Sequence, residues 1–426
     1  MSYVNELIGF IKNSPTAYHT VKTIKEALVE AGFTEVYENS PSSFSDGGKH
    51  FVVRGGSSII AFKGRAGNGF MITASHSDSP CFKVKNELSG VTYTRLATEK
   101  YGGMIHYTWL DRPLSVAGRV VVKTVDGIKT MIVNIGKAAL TSPSVAIHLN
   151  RGVNDGYKFN PATDLLPLIG LSDARGELMK VVAAEAGVNS SEIISHDLFL
   201  YNAEEGRVIG INDDLFISPR IDDLGCAYAS MRAFIDAPVS DGSVDVLAVF
   251  DNEEVGSETK QGAASTFLDM TLRSIAGSEE KYSSMLYNSF MVSADNAHAL
   301  HPNHPELYDS SNAPVLGGGV VVKYNANQRY TTDAISDAIF STVAERAGAG
   351  LQKFSNRADM VGGSTLGSIS NTRVSVPTID IGLPQLAMHS ASETAAVSDL
   401  EDMVKILTEL YSSGIEKHGD VISIKK

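Results

Sequence analysis

Two adjacent carboxylates, Glu253 and Glu254, directly follow an apolar run at residues 244–250. A short run dominated by Val, Leu, Ala and Phe predicts a buried central strand of an α/β sheet. Ligand sites in such sheets lie beyond the carboxyl ends of the strands, which is where these two side chains would stand. An isolated pair of glutamates is more often a solvated turn, so the interpretation depends on what the other strands deliver.

Histidine and aspartate side chains occur at the ends of other apolar segments. His76 and Asp295 each follow a run of strand-like residues. His389 comes shortly after a third apolar segment, and Asp222 precedes a run of small residues that predicts the start of a helix. Five segments of the chain therefore deliver His, Asp or Glu, and we expect these side chains to meet at one edge of a sheet.

This set of nitrogen and oxygen ligands contains no thiolate. It suits Zn²⁺, Mn²⁺ or Co²⁺ and disfavours a structural zinc site of the cysteine type. A centre with two metal ions needs a bridging carboxylate and about two more protein ligands on each ion. Asp222 as the bridge meets this requirement, with His76 and Asp295 on one ion and Glu254 and His389 on the other. The sequence therefore predicts two divalent metal ions, with Zn²⁺ as the first candidate.

Glu253 is left without a ligand role in this assignment. Successive side chains on an extended backbone point to opposite sides, so Glu253 can face a metal-bound water while Glu254 ligates. A carboxylate in that place is a candidate general base. Asp78, two residues after His76, is either surface polarity or a residue that orients the imidazole by a hydrogen bond, and we favour the second interpretation.

Six collinear motifs resemble those of the M18 family of metallo-aminopeptidases, the aspartyl aminopeptidase family. The resemblance implies a di-zinc hydrolase that removes N-terminal residues from peptides, with the ligands given above and Glu253 as the base. Asp223 stands where the family commonly has Asn, which leaves open whether Asp222 or Asp223 is the bridge. The matching motifs are HSDSPC at 76–81, SPRID at 218–222, DNEEVGS at 251–257, MVSAD at 291–295, NQRY at 327–330 and PQLAMHS at 384–390.

The resemblance also assigns roles to three residues that are unremarkable by themselves. Lys323 and Tyr330 are ordinary surface types by composition, but the family places them beside the pocket for the first side chain of the substrate. A cation there implies a preference for N-terminal Asp or Glu. His148 lies in an apolar stretch where a core or interface histidine is expected. The matching segment of the family carries a histidine into the catalytic site of a partner subunit.

Periodicity predicts an α/β fold, and the family resemblance implies that its mixed sheet, flanked by helices, is of the zinc-peptidase kind. Residues 4–11 have the apolar spacing of an amphipathic helix that ends at Ser14-Pro15, and a second helix ends at Ala31-Gly32. From about residue 51 to residue 72, short apolar runs alternate with glycine-rich turns, as strands do. Further strand-like and helix-like segments alternate toward the C-terminus, which is typical of α/β layers.

A long interval between His76 and Asp222 contributes no metal ligand in our assignment. We interpret it as an inserted β-rich domain at residues 86–209, with residues 1–85 and 210–426 forming the catalytic domain. The family resemblance gives this insert the role of a dimerisation domain. It also implies a homo-oligomer, a dodecamer built from dimers.

The composition of the chain narrows the range of possible binding partners. The chain has 426 residues, with 36 Lys and Arg against 49 Asp and Glu, and the net charge of -13 argues against nucleic acid or an anionic membrane as a partner. No apolar run suggests a membrane span or a signal peptide, so we expect a cytoplasmic protein. The family resemblance implies that it acts on peptides. Cys81 and Cys226 are too few for a disulfide framework and are expected to be reduced. His298, His301 and His304 could suggest a metal cluster, but they are interpreted as a loop beside Asp295, because prolines interrupt them.

Two other functions are compatible with the residues alone. The same ligands would serve another dinuclear hydrolase, such as an N-acyl amino acid deacylase, a carboxypeptidase, a phosphoesterase, or an aminopeptidase that prefers neutral residues. A catalytically inactive scaffold is the second alternative. The presence of Glu253 argues against a scaffold, because a structural metal site needs no additional base.

Overall fold

A computed structural model describes residues 2–40, 44, 47–239 and 242–425. The described residues form nine α-helices, which are α1 Tyr3–Asn13, α2 Ala17–Glu30, α3 Glu177–Ala186, α4 Ile221–Asp236, α5 Phe267–Ala276, α6 Glu279–Tyr287, α7 Ala334–Ala347, α8 Leu366–Asn371 and α9 Val397–Tyr411.

The strands of the described residues belong to three larger sheets and one hairpin. In chain order they are β1 Thr34–Glu35, β2 Lys49–Arg54, β3 Ser58–Lys63, β4 Gly69–His76, β5 Cys81–Ser89, β6 Tyr93–Tyr101, β7 Leu114–Thr124, β8 Gly127–Asn134, β9 Leu168–Leu171, β10 Ile193–Asn202, β11 Arg207–Ile209, β12 Leu215–Ser218, β13 Ser243–Phe250, β14 Phe290–Ala294, β15 Ala297–His298, β16 Val320–Tyr324, β17 Leu351–Ser355, β18 Thr378–Gly382, β19 Pro384–Leu386, β20 Glu393–Ala396, β21 Gly414–His418 and β22 Val421–Lys425.

The first two helices confirm the sequence prediction. Val4, Leu7 and Ile11 of α1 are buried on one face of the helix, at the spacing that an amphipathic helix requires. Helix α1 ends at Asn13, since the next residues are Ser14 and Pro15 and proline cannot extend the hydrogen-bonding pattern. Helix α2 ends one residue before Ala31, and Gly32 then adopts a left-handed conformation with φ +84°.

The main sheet has nine strands in the order β1-β2-β3-β13-β4-β14-β18-β16-β17. Its four central neighbours, β13, β4, β14 and β18, run parallel to one another, and every residue in them is buried. Strands buried on both faces are mostly apolar, which explains the composition of these segments apart from buried polar residues such as Asp245 and Asp380. Because the four strands are parallel, their carboxyl ends meet at one edge of the sheet.

Helices cover both faces of the main sheet. One hydrophobic cluster contains side chains of α1, α2, α4, α7 and α9, and a second contains side chains of α5, α6 and α8. Strand β4 contributes to both clusters, since Met71 enters the first while Phe70 and Ile72 enter the second. The predicted α/β fold, a mixed sheet flanked by helices, is therefore confirmed.

A second sheet of six strands has the order β8-β7-β10-β5-β6-β9 and is antiparallel throughout. Its strands all lie between Cys81 and Asn202, and it has a hydrophobic cluster of its own, to which α3 contributes Leu178 and Val182. The location of this sheet in the chain matches the interval without metal ligands. The proposed domain boundaries themselves stay a prediction.

A third sheet supports the segments that lead to the candidate site. It has the order β11-β12-β20-β19-β15, with β12 leading toward Asp222 and β19 toward His389. Both cysteines are free, as expected. Within the described part of the chain, no helix combines the length and the apolar character needed to cross a membrane.

Gly382, the last residue of β18, allows the backbone beside Asp295 to approach closely. A Cβ atom at this position would lie 2.4 Å from the carbonyl oxygen of Asp295 and 2.7 Å from the amide nitrogen of Ala297. Gly9, in the middle of α1, is the opposite case, because a Cβ atom there would have no neighbour within 4 Å.

We expect Gly382→Ala to destabilise the protein by about 1–3 kcal/mol, since the neighbouring backbone must shift to make room. Gly9→Ala is the matched control and should be neutral or stabilising by about 0.5–1 kcal/mol, because alanine favours a helix interior more than glycine does. The check is the midpoint of urea unfolding for both variants. Equal midpoints for Gly382→Ala and the unmodified protein would contradict the close approach.

Candidate metal centre

Three of the predicted ligand segments end at the same edge of the main sheet. His76 is the last residue of β4, Asp295 follows β14, and Glu253 and Glu254 follow β13 after two further residues. The three strands are parallel neighbours, so the residues at their carboxyl ends necessarily converge. Asp222 joins them from the first turn of α4.

The carboxylate of Asp222 lies between two imidazoles. Its Oδ1 is 3.4 Å from Nε2 of His76, and its Oδ2 is 3.4 Å from Nε2 of His389. Nε2 of His389 is also 3.4 Å from Oε2 of Glu254. Each oxygen of one carboxylate therefore faces a different histidine, which is the arrangement that a bridging ligand between two cations requires.

The donor atoms form three overlapping groups, and the atoms of each group lie within 4.8 Å of one another. Oδ1 of Asp222 and Oε1 of Glu254 are buried and make no hydrogen bond. Buried charged oxygens without hydrogen-bond partners are costly unless a cation compensates them, so the residues fit divalent metal ions. The groups are His76, Asp222, Asp223 and Asp295; His76, Glu253 and Glu254; and Asp222, Glu254 and His389.

The neighbouring residue Asp223 is placed differently from Asp222. Its Oδ2 accepts a hydrogen bond of 3.0 Å from the backbone amide of His76. Asp223 is fully buried, and among the described residues it forms no ion pair with His389. The geometry thus favours Asp222 as the residue that lies between the two histidines.

The pKa values of the carboxylates reflect their crowding. Burial alone would raise the pKa of Asp222, but the His389 and His76 imidazoles hold it well below its usual range. Burial and then the charge of Asp222 raise the pKa of Glu254 well above the ordinary value. Burial and then Asp295 raise the pKa of Glu253 to about 8. These carboxylates resist ionising together, so a cation among them would stabilise their charged forms.

Asp78 connects His76 to the loop that carries the two glutamates. Its Oδ1 is 3.3 Å from Nδ1 of His76, and its backbone oxygen is 3.1 Å from the same nitrogen. The backbone amides of Glu253 and Glu254 donate to its two carboxylate oxygens at 3.2 Å each. The hydroxyl of Tyr101 donates to Oδ2 at 2.6 Å. Asp78 therefore fixes the imidazole of one candidate ligand, His76, relative to the backbone of Glu253 and Glu254.

The reasoning that separated Glu253 from Glu254 was wrong in its geometry. We expected an extended backbone with alternating side chains, but residues Glu253–Val255 form a turn of 3₁₀ helix. Asn252 at φ +66° and Gly256 at φ +99° bracket this turn. Both side chains consequently reach the cavity, with Glu254 beside His389 and Glu253 beside the open space.

The cavity next to the metal centre contains the two residues that were expected at the substrate pocket. Lys323 and Tyr330 are only 3% and 5% exposed, so they are not surface residues. Nζ of Lys323 lies 3.7 Å from Oδ1 of Asp295 and 5.6 Å from the ring centroid of Tyr330. Burial alone would lower the pKa of Lys323, but Asp295 and Tyr330 together raise it, so the side chain is a cation.

Other lining residues were missed by sequence reasoning. His298 was expected in a loop beside Asp295. It borders the same cavity as Asp295, but it lies in the short strand β15, and Phe354, Thr365 and Met388, which the sequence did not indicate, border the cavity with it. His301 and His304 contact each other, with ring centroids 5.2 Å apart, and neither belongs to the described residues that line the cavity.

The chain matches known proteins over nearly its whole length. The model of a family described as aminopeptidase I zinc metalloprotease (M18) matches residues 10–411. The chain belongs to the M18 family. A probable M18 family aminopeptidase 2 of Clostridium acetobutylicum is 42% identical over 429 residues, which cover 97% of this chain and 99% of that protein.

Solved structures agree with this assignment. The chain resembles a cryo-EM structure of a complex of Ape4 and Nbr1, with a TM-score of 0.93 and 36% identity over 96% of this chain and 85% of that one. It also resembles the mApe1 dodecamer of S. cerevisiae, with a TM-score of 0.83 and 29% identity over 96% of this chain and 95% of that one. The protein is therefore a metallo-aminopeptidase, and the deacylase and scaffold alternatives are set aside.

In this M18 aminopeptidase, His148 is far less enclosed than the other predicted site residues. It lies in an exposed turn after β8 and is not among the described residues that line the cavity of its own chain. Three apolar neighbours are also exposed, Val145 by 58%, Ile147 by 48% and Leu149 by 84%. An exposed apolar segment of this kind is typical of a contact surface.

We expect Asp78→Asn to weaken metal binding by about 10–100-fold, because residues that orient metal ligands usually contribute that much affinity. Tyr101→Phe is the matched control. It removes one hydrogen bond to Asp78 but leaves the carboxylate in place, so its effect should be smaller. Competition with a chromogenic chelator measures both. Metal affinity that is unchanged in Asp78→Asn would mean that the Asp78 network does not position the ligands.

Proposed function

We propose that this M18 aminopeptidase uses two divalent metal ions, Zn²⁺ in the first place, to hydrolyse the N-terminal residue of peptides, with a preference for Asp or Glu. The observation that carries the dinuclear centre is the Asp222 carboxylate, whose two oxygens each face a different histidine at 3.4 Å. A single metal ion on one oxygen of Asp222 would leave the histidine that faces the other oxygen without a metal ion to bind. Mn²⁺ and Co²⁺ suit the same nitrogen and oxygen ligands.

The ligand assignment is the one that the sequence predicts, and two of the three groups of donor atoms support it. His76 and Asp295 would hold one ion, Glu254 and His389 the other, and Asp222 both. Asp223 would be a supporting residue, because one of its oxygens is already engaged by the backbone amide of His76. The bound ions would supply Lewis acidity and lower the pKa of a bound water.

Glu253 would be the general base. It lies in the cavity beside the ligands. Its carboxylate also belongs to a group of donor atoms with His76 and Glu254, but both ions already have their protein ligands in this assignment. Its carboxylate can take a proton from the attacking water and return it to the nitrogen of the leaving peptide. Asp78 supports this role indirectly, since it accepts the backbone amide of Glu253 and so fixes the start of the turn.

Lys323 would recognise an acidic first residue of the substrate. Its cation lies in the wall of the cavity and is buried, and it makes no hydrogen bond to a described protein atom. A charge in a partly dry pocket interacts strongly with a carboxylate of opposite sign. Tyr330 stands beside it and would bound the pocket on one side.

A preference for neutral residues is the second candidate, and one contact favours it. Nζ of Lys323 is 3.7 Å from Oδ1 of Asp295. If the lysine compensates Asp295 within the protein, its charge is not available to a substrate. Substrate measurements on Lys323 variants separate the two possibilities.

Assembly would complete the catalytic site. We assign residues 1–85 and 210–426 to the catalytic domain and residues 86–209 to an inserted dimerisation domain, because the six-stranded sheet and its own hydrophobic cluster lie in that interval. The exposed His148 segment would enter the cavity of a partner subunit and donate to the oxygen that becomes anionic during attack. A homo-oligomer, a dodecamer built from dimers, is supported by the dodecamer of the related mApe1. We place the enzyme in the cytoplasm.

Glu253→Gln should keep two metal ions per chain and lose turnover by about two to four orders of magnitude, the usual contribution of a general base. Glu254→Gln is the matched variant and should lose metal. Metal content by elemental analysis and turnover on an N-terminal aspartyl substrate distinguish the two residues. Metal loss in Glu253→Gln would show that their roles are exchanged, and full activity after complete metal removal would refute the metal mechanism.

Lys323→Ala should reduce kcat/KM for N-terminal Asp and Glu substrates by about 10–100-fold, the loss expected for a charge-assisted hydrogen bond, and leave Leu and Ala substrates nearly unchanged. Lys353→Ala is the control, because that lysine is exposed and paired with Asp337. The measurement is a panel of aminoacyl substrates. A preference for Leu in the unmodified enzyme that persists in Lys323→Ala would support the neutral-residue alternative.

His148→Ala should lower turnover by about 10²–10³-fold with little change in substrate affinity, since a donor to the anionic oxygen stabilises the transition state. Mixed oligomers of the inactive His148→Ala and Glu253→Gln chains should recover part of the activity, because some sites then combine an intact histidine with an intact glutamate. Native mass spectrometry verifies the mixing. Verified mixed oligomers without activity would place the action of His148 within its own chain or in packing.

A further inference from the structure

A second cavity lies behind the metal centre, between the main sheet and the six-stranded sheet. It occupies about 1100 Å³ including its open mouth. Its walls come from the link between α1 and α2, from β10, and from the segment that precedes α4. We call it the inter-sheet cavity. Asp222 borders both cavities, but Lys323 and Tyr330 border only the catalytic one.

Arg220 is a charged residue of this cavity that has no described carboxylate within ion-pair distance. Its Nη2 donates one hydrogen bond of 3.1 Å to the backbone oxygen of Ile11, and its guanidinium stacks 5.4 Å from the ring centroid of Tyr201. Nε is buried and makes no hydrogen bond. Among the described residues no carboxylate forms an ion pair with Arg220. A guanidinium has five N–H groups, so most of its hydrogen-bonding capacity is unused.

Three carboxylates around the inter-sheet cavity already have hydrogen-bonding partners, whereas no described carboxylate lies within ion-pair distance of Arg220. A buried cation without an anion in contact is costly. The contacts are Asp197 with Lys83 at 2.6 Å and Arg119 at 2.8 Å, Asp251 with the amide of Asn252 at 2.8 Å and Gln261 at 3.3 Å, and Glu393 with the amides of Asp222 at 3.0 Å and His389 at 2.7 Å.

Two further donors among the lining residues are unused. Nε1 of Trp109 and Oγ of Ser14 are buried without hydrogen-bond partners. Ser14 lies in the α1–α2 link, near the Ile11 carbonyl that holds Arg220. Trp109 packs against Phe82 on the other side, with ring centroids 5.2 Å apart. The lining thus has unused donors together with apolar surface, which is typical of a site for an organic anion.

The charge of the lining favours a ligand with no more than one negative charge. Five carboxylates outnumber three cations around the cavity, so the lining repels a dianion such as phosphate about twice as strongly as a monoanion held by Arg220. The residues are Lys83, Arg119 and Arg220 against Asp78, Asp197, Asp222, Asp251 and Glu393.

We propose that the inter-sheet cavity binds a small organic monocarboxylate with an apolar body, and that Arg220 holds its carboxylate. The apolar body would lie against Pro15, Phe199 and Leu200. Arg220 stands two residues before Asp222, and Oγ of Ser79 donates to the backbone oxygen of Asp222 at 2.7 Å. A bound ligand would therefore touch the segment that carries the candidate bridging residue.

The test is isothermal titration calorimetry of 3-phenylpropionate into the metal-loaded enzyme. We expect one site per chain, with a dissociation constant at least tenfold larger in Arg220→Gln, the usual loss for a charge-assisted hydrogen bond. Arg232→Gln is the matched control. That arginine lies in α4, the helix that begins directly after Arg220, and it pairs with Asp236. Absence of binding at 10 mM 3-phenylpropionate would overturn the proposal, with the concentration set as roughly the limit of useful affinity.

Two further variants keep the experiment decisive if Arg220→Gln fails to fold. Ala17→Phe adds a ring at the wall of the inter-sheet cavity without changing Arg220, and it should abolish binding. Lys323→Ala changes only the catalytic cavity and should leave binding intact. Loss of binding in Lys323→Ala but not in Ala17→Phe would assign the carboxylate to the catalytic cavity. Tighter binding of inorganic phosphate than of 3-phenylpropionate would contradict the monoanion assignment.

Discussion

The mutual repulsion of five carboxylates at one edge of the main sheet is the constraint on which the rest of this structure depends. Asp222, Asp223, Glu253, Glu254 and Asp295 share a small, mostly buried volume with only two imidazoles. Ionised carboxylates at such distances in a region of low dielectric constant raise one another's pKa values. The fold holds them together because they lie at the ends of strands and at a helix start, and all of these elements are fixed by a fully buried sheet.

Hydrogen bonds from the backbone distribute this charge. Asp78 accepts two amides of the glutamate turn, Asp223 accepts the amide of His76, and Glu393 accepts the amides of Asp222 and His389. Each of these carboxylates thus fixes the backbone of a candidate ligand while it is itself partly compensated. The candidate ligands are thereby held in position before any cation binds, which is the preorganisation that metal-dependent hydrolysis needs.

Prediction from sequence worked best where a residue's surroundings follow from local pattern. Mostly apolar runs such as residues 244–250 indicated buried strands, and charged residues soon after them indicated the edge of the sheet where the candidate site lies. It failed where backbone conformation departs from the regular elements. The 3₁₀ turn at Glu253–Val255 depends on hydrogen bonds to Asp78, which is 175 residues away in the chain. The short strand at His298 was not predicted, because it depends on pairing between β15 and β19.

The sequence by itself determined the types of the candidate ligands, the fold class and the family, because these follow from residue identity, spacing and local periodicity. Only the tertiary structure decided that Asp222, rather than Asp223, lies between the two histidines, since the choice depends on the orientation of side chains from separate elements. It also decided that Lys323 is buried against Asp295 and that Arg220 has no anionic partner. Burial and pairing are properties of contacts between distant segments, and a sequence pattern records only which residues are available to make them.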